Sequence, residues 1–165
     1  MIELKPISAA AIPEAMEKAL RYRLLNEPWQ AESICLDILR VEPEHQQALT
    51  ILLLSRTDQF GHGGSKSKAR EVLHKLTSEY DREYYSGVIS ERWAGWLLRQ
   101  GAPGAGFTAY QYFVEAMEHY ERAEALRPPG NDDALLRWNT CARLLMQNPE
   151  VRPRGEEAFE PAFED

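Results

Sequence analysis

The sequence is poor in several features, and each shortage excludes a class of protein. It has only two cysteines in 165 residues, Cys35 and Cys141, which lie far apart in apolar stretches. We interpret them as buried free thiols rather than a disulfide. Residues 1–11 lack the basic start and apolar core of a secretory signal, and no run reaches the roughly 18 apolar residues that span a membrane. We therefore expect a cytoplasmic protein without a membrane partner.

Basic residues are also in deficit, with 19 Lys and Arg against 26 Asp and Glu and a formal net charge of -7. Because phosphate contacts require a basic face, this balance argues against a nucleic-acid partner. Six of the acidic residues fall between Glu150 and Asp165. We predict a flexible segment over 1–11, one packed domain over 12–148, and an acidic tail without fixed structure over 149–165.

Strand-like alternation of polar and apolar residues is missing, and apolar residues recur at helical spacing instead. The pattern predicts an all-α protein of seven helices, with breaks at prolines and at two glycine-rich stretches. The first three helices are expected over 12–25, 29–41 and 44–59. The fourth runs from a cap at Ser65 or Ser67 to about 79, and the fifth and sixth cover 82–100 and 108–126. The seventh runs from a cap at Asn131 or Asp132 to about 148.

Three of these helices share one spacing, in which an alanine is followed by apolar residues at offsets of four and seven. Two of the three have a proline at offset twelve, and Asp81 stands where the proline would fall in the other. The matching sets are Ala31, Cys35, Ile38 and Pro43; Ala69, Leu73, Leu76 and Asp81; and Ala116, Tyr120, Ala123 and Pro128. This pattern resembles the second helix of the tetratricopeptide-repeat (TPR) family. Ala19 with Tyr22, and Ala94 with Leu97, are similar to the family's first helix.

The resemblance implies a right-handed solenoid of helical hairpins, with about three repeats and a C-terminal capping helix. It also implies a protein–protein interaction module, an adaptor or chaperone-like scaffold that holds a peptide or partner helix in a concave groove. The length and acidity are similar to those of small TPR chaperones of bacterial secretion systems. Carried over by position, the groove residues are Met16, Leu20, Arg23, Leu24, Leu54, Asp58, Glu91, Arg99, Asn139 and Arg143.

Other functions have less support in the sequence. The loop from Gly61 to Ser67 lacks the spacing of a phosphate-binding loop, and the four histidines show no metal-ligand spacing. We therefore expect no enzyme activity, metal or cofactor. The alternative is a self-assembling structural subunit, for example a homodimer, that pairs through its terminal helices. A further hypothesis is that the terminal stretch 163–165 occupies the chain's own groove.

Overall fold

The protein is built from α-helices joined by turns and loops. The computed structural model describes residues 1–155, and these contain seven α-helices and no sheet. The helices are α1 (Ile12–Leu24), α2 (Pro28–Val41), α3 (Gln46–Asp58), α4 (Lys66–Arg70), α5 (Glu79–Gln100), α6 (Ala105–Leu126) and α7 (Asp133–Gln147). The prediction of an all-α protein is confirmed for this part of the chain. None of its helices is long and apolar enough to cross a membrane.

The ends of the helices follow local chemistry that the sequence displays. Pro28 begins α2, where its missing N–H costs nothing because the first turn of a helix has no partner for that group. The hydroxyl of Ser65 accepts a hydrogen bond from the backbone N–H of Lys68 and so caps α4. Gly101 ends α5 in the left-handed conformation, with φ of 65°, which glycine adopts without a steric penalty.

The fourth helix differs from the prediction, which extends it to about residue 79. It ends at Arg70, and a 3-10 turn over Leu73–Lys75 leads into an extended stretch. Ser78 then caps α5, which begins at Glu79, three residues before its predicted start. The fourth helix is therefore a single short turn rather than a full partner for α3.

Tertiary hydrogen bonds explain why the chain leaves the helical path here. Arg82 of α5 donates from Nη1 to the carbonyl oxygens of Leu76 and Thr77, at 2.7 and 3.1 Å. The Oε1 of Gln46, at the start of α3, accepts from the backbone N–H of Thr77 at 3.0 Å. These side chains satisfy backbone groups that a helix would have satisfied by itself, so extended backbone costs little at this point.

Helices that are adjacent in sequence pack together in pairs: α1 with α2, α2 with α3, α5 with α6, and α6 with α7. Two hydrophobic cores result. One is formed by α1–α4, the segment after α4 and Ile89 of α5, and the other by α5–α7. Leu54 and Tyr85 contact both cores. Of the apolar positions in the shared spacing, all but Leu73 are buried. The pattern therefore does mark the packed faces of these helices.

Both cysteines are buried free thiols, as predicted, with Cys35 in the first core and Cys141 in the second. Burial raises the pKa of each thiol to about 12, with a further contribution from the carboxylates of Glu32 and Glu91 respectively. Because the thiolate is the reactive form, neither cysteine is a nucleophile at neutral pH.

The packed chain extends beyond its predicted end at residue 148. Val151 is only 3% exposed and belongs to the second core. Gly106 permits this approach, because a Cβ added there would lie 2.3 Å from the carbonyl oxygen of Glu150. At the other end, Ile7 packs against the first core. Residues 156–165 of the predicted tail lie outside the described part of the chain.

A close contact between Gly87 of α5 and Tyr120 of α6 generates a stability prediction. A Cβ added at Gly87 would lie 2.5 Å from Cε1 of Tyr120, which is fully buried. We expect Gly87→Ala to lower the free energy of unfolding by about 1–3 kcal/mol, because the ring cannot move aside within a close-packed core. Urea denaturation monitored by circular dichroism measures the effect.

The matched control is Gly95→Ala on the same helix, where the added methyl group would approach only Nη1 of the flexible Arg99, at 3.3 Å. This change should leave stability unchanged or raise it by up to about 1 kcal/mol, since alanine favours the helix over glycine. Equal effects of the two substitutions would contradict the packing argument.

Candidate functional site

An open cleft of about 450 Å³ lies where the C-terminal halves of α1, α3 and α5 meet. Arg23 lines it from α1, Asp58 from α3, and four residues line it from α5, namely Glu91, Arg92, Gly95 and Arg99. Phe60 and Phe113 contribute buried rings to its lining, and Leu144 reaches it from α7. The cleft therefore combines charged groups with an apolar base.

Asp58 at the last turn of α3 is held by two arginines from different helices. Oδ2 of Asp58 accepts from Nε of Arg23 at 2.6 Å, and Oδ1 accepts from Nη1 of Arg92. Arg92 also donates from Nη1 to the hydroxyl of Thr57 at 2.7 Å. These contacts tie α1, α3 and α5 together, and all three ionised side chains are half-buried.

Glu91 is the second carboxylate of the cleft, and it is paired from the α7 side. Nη1 of Arg137 lies 3.0 Å from both of its carboxylate oxygens, and the hydroxyl of Tyr120 donates to Oε2. Burial, followed by the charge of Glu91, raises the pKa of Tyr120 far above its ordinary value. The phenol is therefore neutral and acts as a hydrogen-bond donor to the carboxylate.

Positive charge exceeds negative charge in this region. Three arginines line the cleft, and Arg137 of α7 pairs with Glu91. These four positive charges compare with two negative charges, those of Asp58 and Glu91. Among the described residues the local balance is thus +2, in a chain whose formal charge is -7. Burial lowers the pKa of Arg92, and although Asp58 opposes this shift, the nearby charges of Arg23 and Arg137 add to it. Arginine nevertheless stays protonated at neutral pH.

Arg99 stands apart from these pairs. It is exposed at the mouth of the cleft, and within the described residues it makes no ion pair. Its position in the last turn of α5 is favourable for a cation, because the C-terminal end of a helix carries partial negative charge. Within the described part of the chain, its guanidinium is therefore open to an anionic group.

An exposed apolar surface adjoins the cleft at the turn from α1 to α2. Leu24, Leu25 and Trp29 are 88%, 61% and 60% exposed, and we refer to these three residues as the Trp29 patch. A depression of about 430 Å³ beside Trp29 is lined by Asn26 and Asp58, which also line the cleft. Trp29 therefore lies beside the charged cleft, and Leu24 and Leu25 precede it at the turn from α1 to α2.

Four of the ten predicted groove residues lie together in this cleft, namely Arg23, Asp58, Glu91 and Arg99. The prediction does not hold for Met16, which is 4% exposed and packs in the first core. It lies four residues after Ile12 and three before Ala19, so all three share the buried face of α1.

The other five predicted residues lie outside the cleft. Leu20 and Leu24 are exposed on α1, and Leu54 is half-buried between the two cores. Asn139 and Arg143 are exposed on α7, where Asn139 lines a separate shallow depression with Trp138.

Sequence reasoning missed Arg92 and Trp29. The spacing of seven residues between Arg92 and Arg99 places both on one face of α5, a signal that the sequence does contain. The exposure of Trp29 has no comparable signal, because a tryptophan at the start of an amphipathic helix is equally consistent with burial.

No protein-family model matches the chain, and comparison with curated proteins and with solved structures finds no significant match. The function is therefore argued from the geometry and charge of the cleft.

The double pairing of Asp58 generates a second prediction. We expect Asp58→Asn to lower the free energy of unfolding by about 1–3 kcal/mol, because Arg23 and Arg92 would face each other without a counter-charge in a half-buried site. The loss should be smaller at high salt, where repulsion between the arginines is screened. Urea denaturation at low and high salt measures both effects.

Glu14→Gln is the control, since it breaks the exposed pair of Glu14 with Lys18, at 2.9 Å on α1. We expect no measurable change in stability from this substitution. A loss for Asp58→Asn no larger than that of the control would show that the Asp58 pairs do not hold the three helices together.

Proposed function

We propose that the chain is a TPR-like solenoid that acts as a protein–protein interaction module, and that its cleft holds an extended segment of another protein. The packing of neighbouring helices in pairs supports this architecture. In it, α1 with α2 and α5 with α6 are hairpins, and α3 pairs with the short α4. The last helix, α7, covers α6.

The observation that carries the proposal is the convergence of α1, α3 and α5 on one open cleft beside an exposed apolar patch. Exposed Trp and Arg side chains are the residues that most often supply the binding energy of protein interfaces. Here Arg99 and Trp29 are exposed within one continuous surface. In the proposed mechanism, a few such anchors provide most of the affinity, and the paired charges around Asp58 keep the cleft in shape.

A cleft variant and a matched surface variant test this proposal. Arg99→Glu reverses a charge in the cleft, whereas Arg143→Glu makes the same change at an exposed position of α7 that does not line the cleft. Full-length protein and both variants are used for affinity capture from a lysate of the source cells, and calorimetry then measures the affinity of any partner.

We expect a partner to be retained by the wild type and by Arg143→Glu, and to bind Arg99→Glu at least about tenfold more weakly. Circular dichroism confirms that each variant is folded. The proposal is wrong if the same proteins are enriched equally by Arg99→Glu, or if no protein is enriched by any form.

Self-assembly is the second candidate, because α7 exposes Leu136 and Met146 to solvent. If this helix pairs between copies, the molar mass measured by light scattering should fall from dimer to monomer over about a hundredfold dilution. Leu136→Glu should shift the protein to the monomer, whereas Leu36→Glu on the internal helix α2 should not. A monomer at every concentration would exclude this candidate.

A further inference from the structure

We propose that the cleft takes an acidic segment of a partner protein, with carboxylates of the segment against Arg23, Arg92 and Arg99 and a bulky apolar side chain of the segment on the Trp29 patch. This inference rests on the proposed function and names the class of ligand.

Unused hydrogen-bond donors in the cleft favour a carboxylate ligand. Arg23 donates from Nε and Nη2 to Asp58, and Arg92 donates from Nη1 to Asp58 and Thr57. The remaining N–H groups of these arginines and of Arg99 have no acceptor within the described residues. They are Nη1 of Arg23, Nε and Nη2 of Arg92, and the whole guanidinium of Arg99. Carboxylates match this geometry, since a guanidinium can donate two parallel hydrogen bonds to the two oxygens of one carboxylate.

The excess of positive charge in the cleft also favours an acidic ligand. The excess of two positive charges remains after Asp58 and Glu91 are counted. A basic segment would have to compete with Arg23 and Arg92 for Asp58 and with Arg137 for Glu91, and would then meet Arg99. An acidic segment meets the arginines without breaking any existing pair. Partial burial of Arg92 strengthens such a contact, because charges interact more strongly where less water surrounds them.

The Trp29 patch favours a ligand that also carries an apolar side chain. Leu24, Leu25 and Trp29 expose most of their side chains, and the depression beside Trp29 shares Asn26 and Asp58 with the cleft. An extended segment that crosses Asp58 therefore meets arginines on one side and the indole on the other. An aromatic side chain fits this patch best, because it gains contact area at little cost in conformational entropy.

The test is fluorescence anisotropy with three labelled ten-residue probes and the full-length protein. The first probe has the sequence Glu-Glu-Ala-Phe-Glu-Pro-Ala-Phe-Glu-Asp, which has the required chemistry. The second replaces its acidic residues with their amides, and the third replaces both phenylalanines with alanine. The protein variants are Arg99→Glu, Trp29→Ala and the surface control Arg143→Glu.

We expect the first probe to bind the wild type at least about tenfold more tightly than either altered probe. Arg99→Glu should weaken the first probe strongly and the amide probe little. Trp29→Ala should weaken the first probe and leave the alanine probe unchanged. Arg143→Glu should bind all three probes as the wild type does. Equal affinity of the wild type for the acidic and amide probes would overturn the inference.

The chain's own residues 156–165 have the same sequence as the first probe and lie outside the described structure. A full-length variant with Glu156, Glu157 and Glu160 replaced by glutamine separates the two occupants. If the wild type binds no probe and this variant binds the first probe, the occupant is the chain's own segment, and the assignment to a partner is overturned.

Failure of this inference is distinguishable from failure of the proposed function. Suppose that a captured partner requires Arg99 but the acidic and amide probes bind equally. The proposed interaction module then still holds, and only the assignment of an acidic ligand is wrong. If no partner is captured through the cleft, and neither the wild type nor the glutamine variant binds a probe, the proposed function and the ligand class are both wrong.

Discussion

Close approach of paired helices is the constraint on which the rest of this structure depends. Ala19 and Ala31 are fully buried in α1 and α2, and Gly87 and Ala116 are buried in α5 and α6. Small residues at these positions let two helical backbones come together, and large side chains such as Tyr120 fill the space beside them. Each pair then presents an apolar face that the next helix must cover.

The two cores that result are joined across the junction of α3 with α5. Leu54 and Tyr85 provide apolar contacts on both sides of this junction, and Asp58 adds ion pairs to Arg23 and Arg92. The cleft lies at this junction because α1, α3 and α5 come together there without filling the space between their ends. The groups that hold the two halves together therefore also form the wall of the candidate site.

The charged side chains of the cleft differ in how fully groups of the protein itself satisfy them. Asp58 and Glu91 are each satisfied by groups of the protein itself, so they are poor candidates for direct contact with a ligand. Within the described residues, Arg99 makes no such pair and Trp29 is 60% exposed. In the proposed function, the paired charges hold the wall of the cleft and the exposed Arg99 and Trp29 contact the partner.

Several features of this structure could be read from the sequence. Helical periodicity, with prolines and glycines at its breaks, determined the number of helices and most of their ends, because these signals act over a few residues. The spacing of alanines marked the buried faces. The resemblance to the TPR family, carried over by position, indicated Arg23, Asp58, Glu91 and Arg99, and these four residues line one cleft. The sequence also indicated that both cysteines are buried.

Only the tertiary structure decided the features that join distant segments. The early end of α4 depends on hydrogen bonds that Gln46 accepts and Arg82 donates, and the burial of Val151 depends on the missing side chain of Gly106. The pairing of Asp58 with Arg92, 34 residues away, is of the same kind. Periodicity shows which face of a helix is apolar, but the angles and loops between helices determine which faces meet. For that reason the sequence indicated the helices that border the cleft, whereas the pairing of its charges and the exposure of Trp29 required the structure.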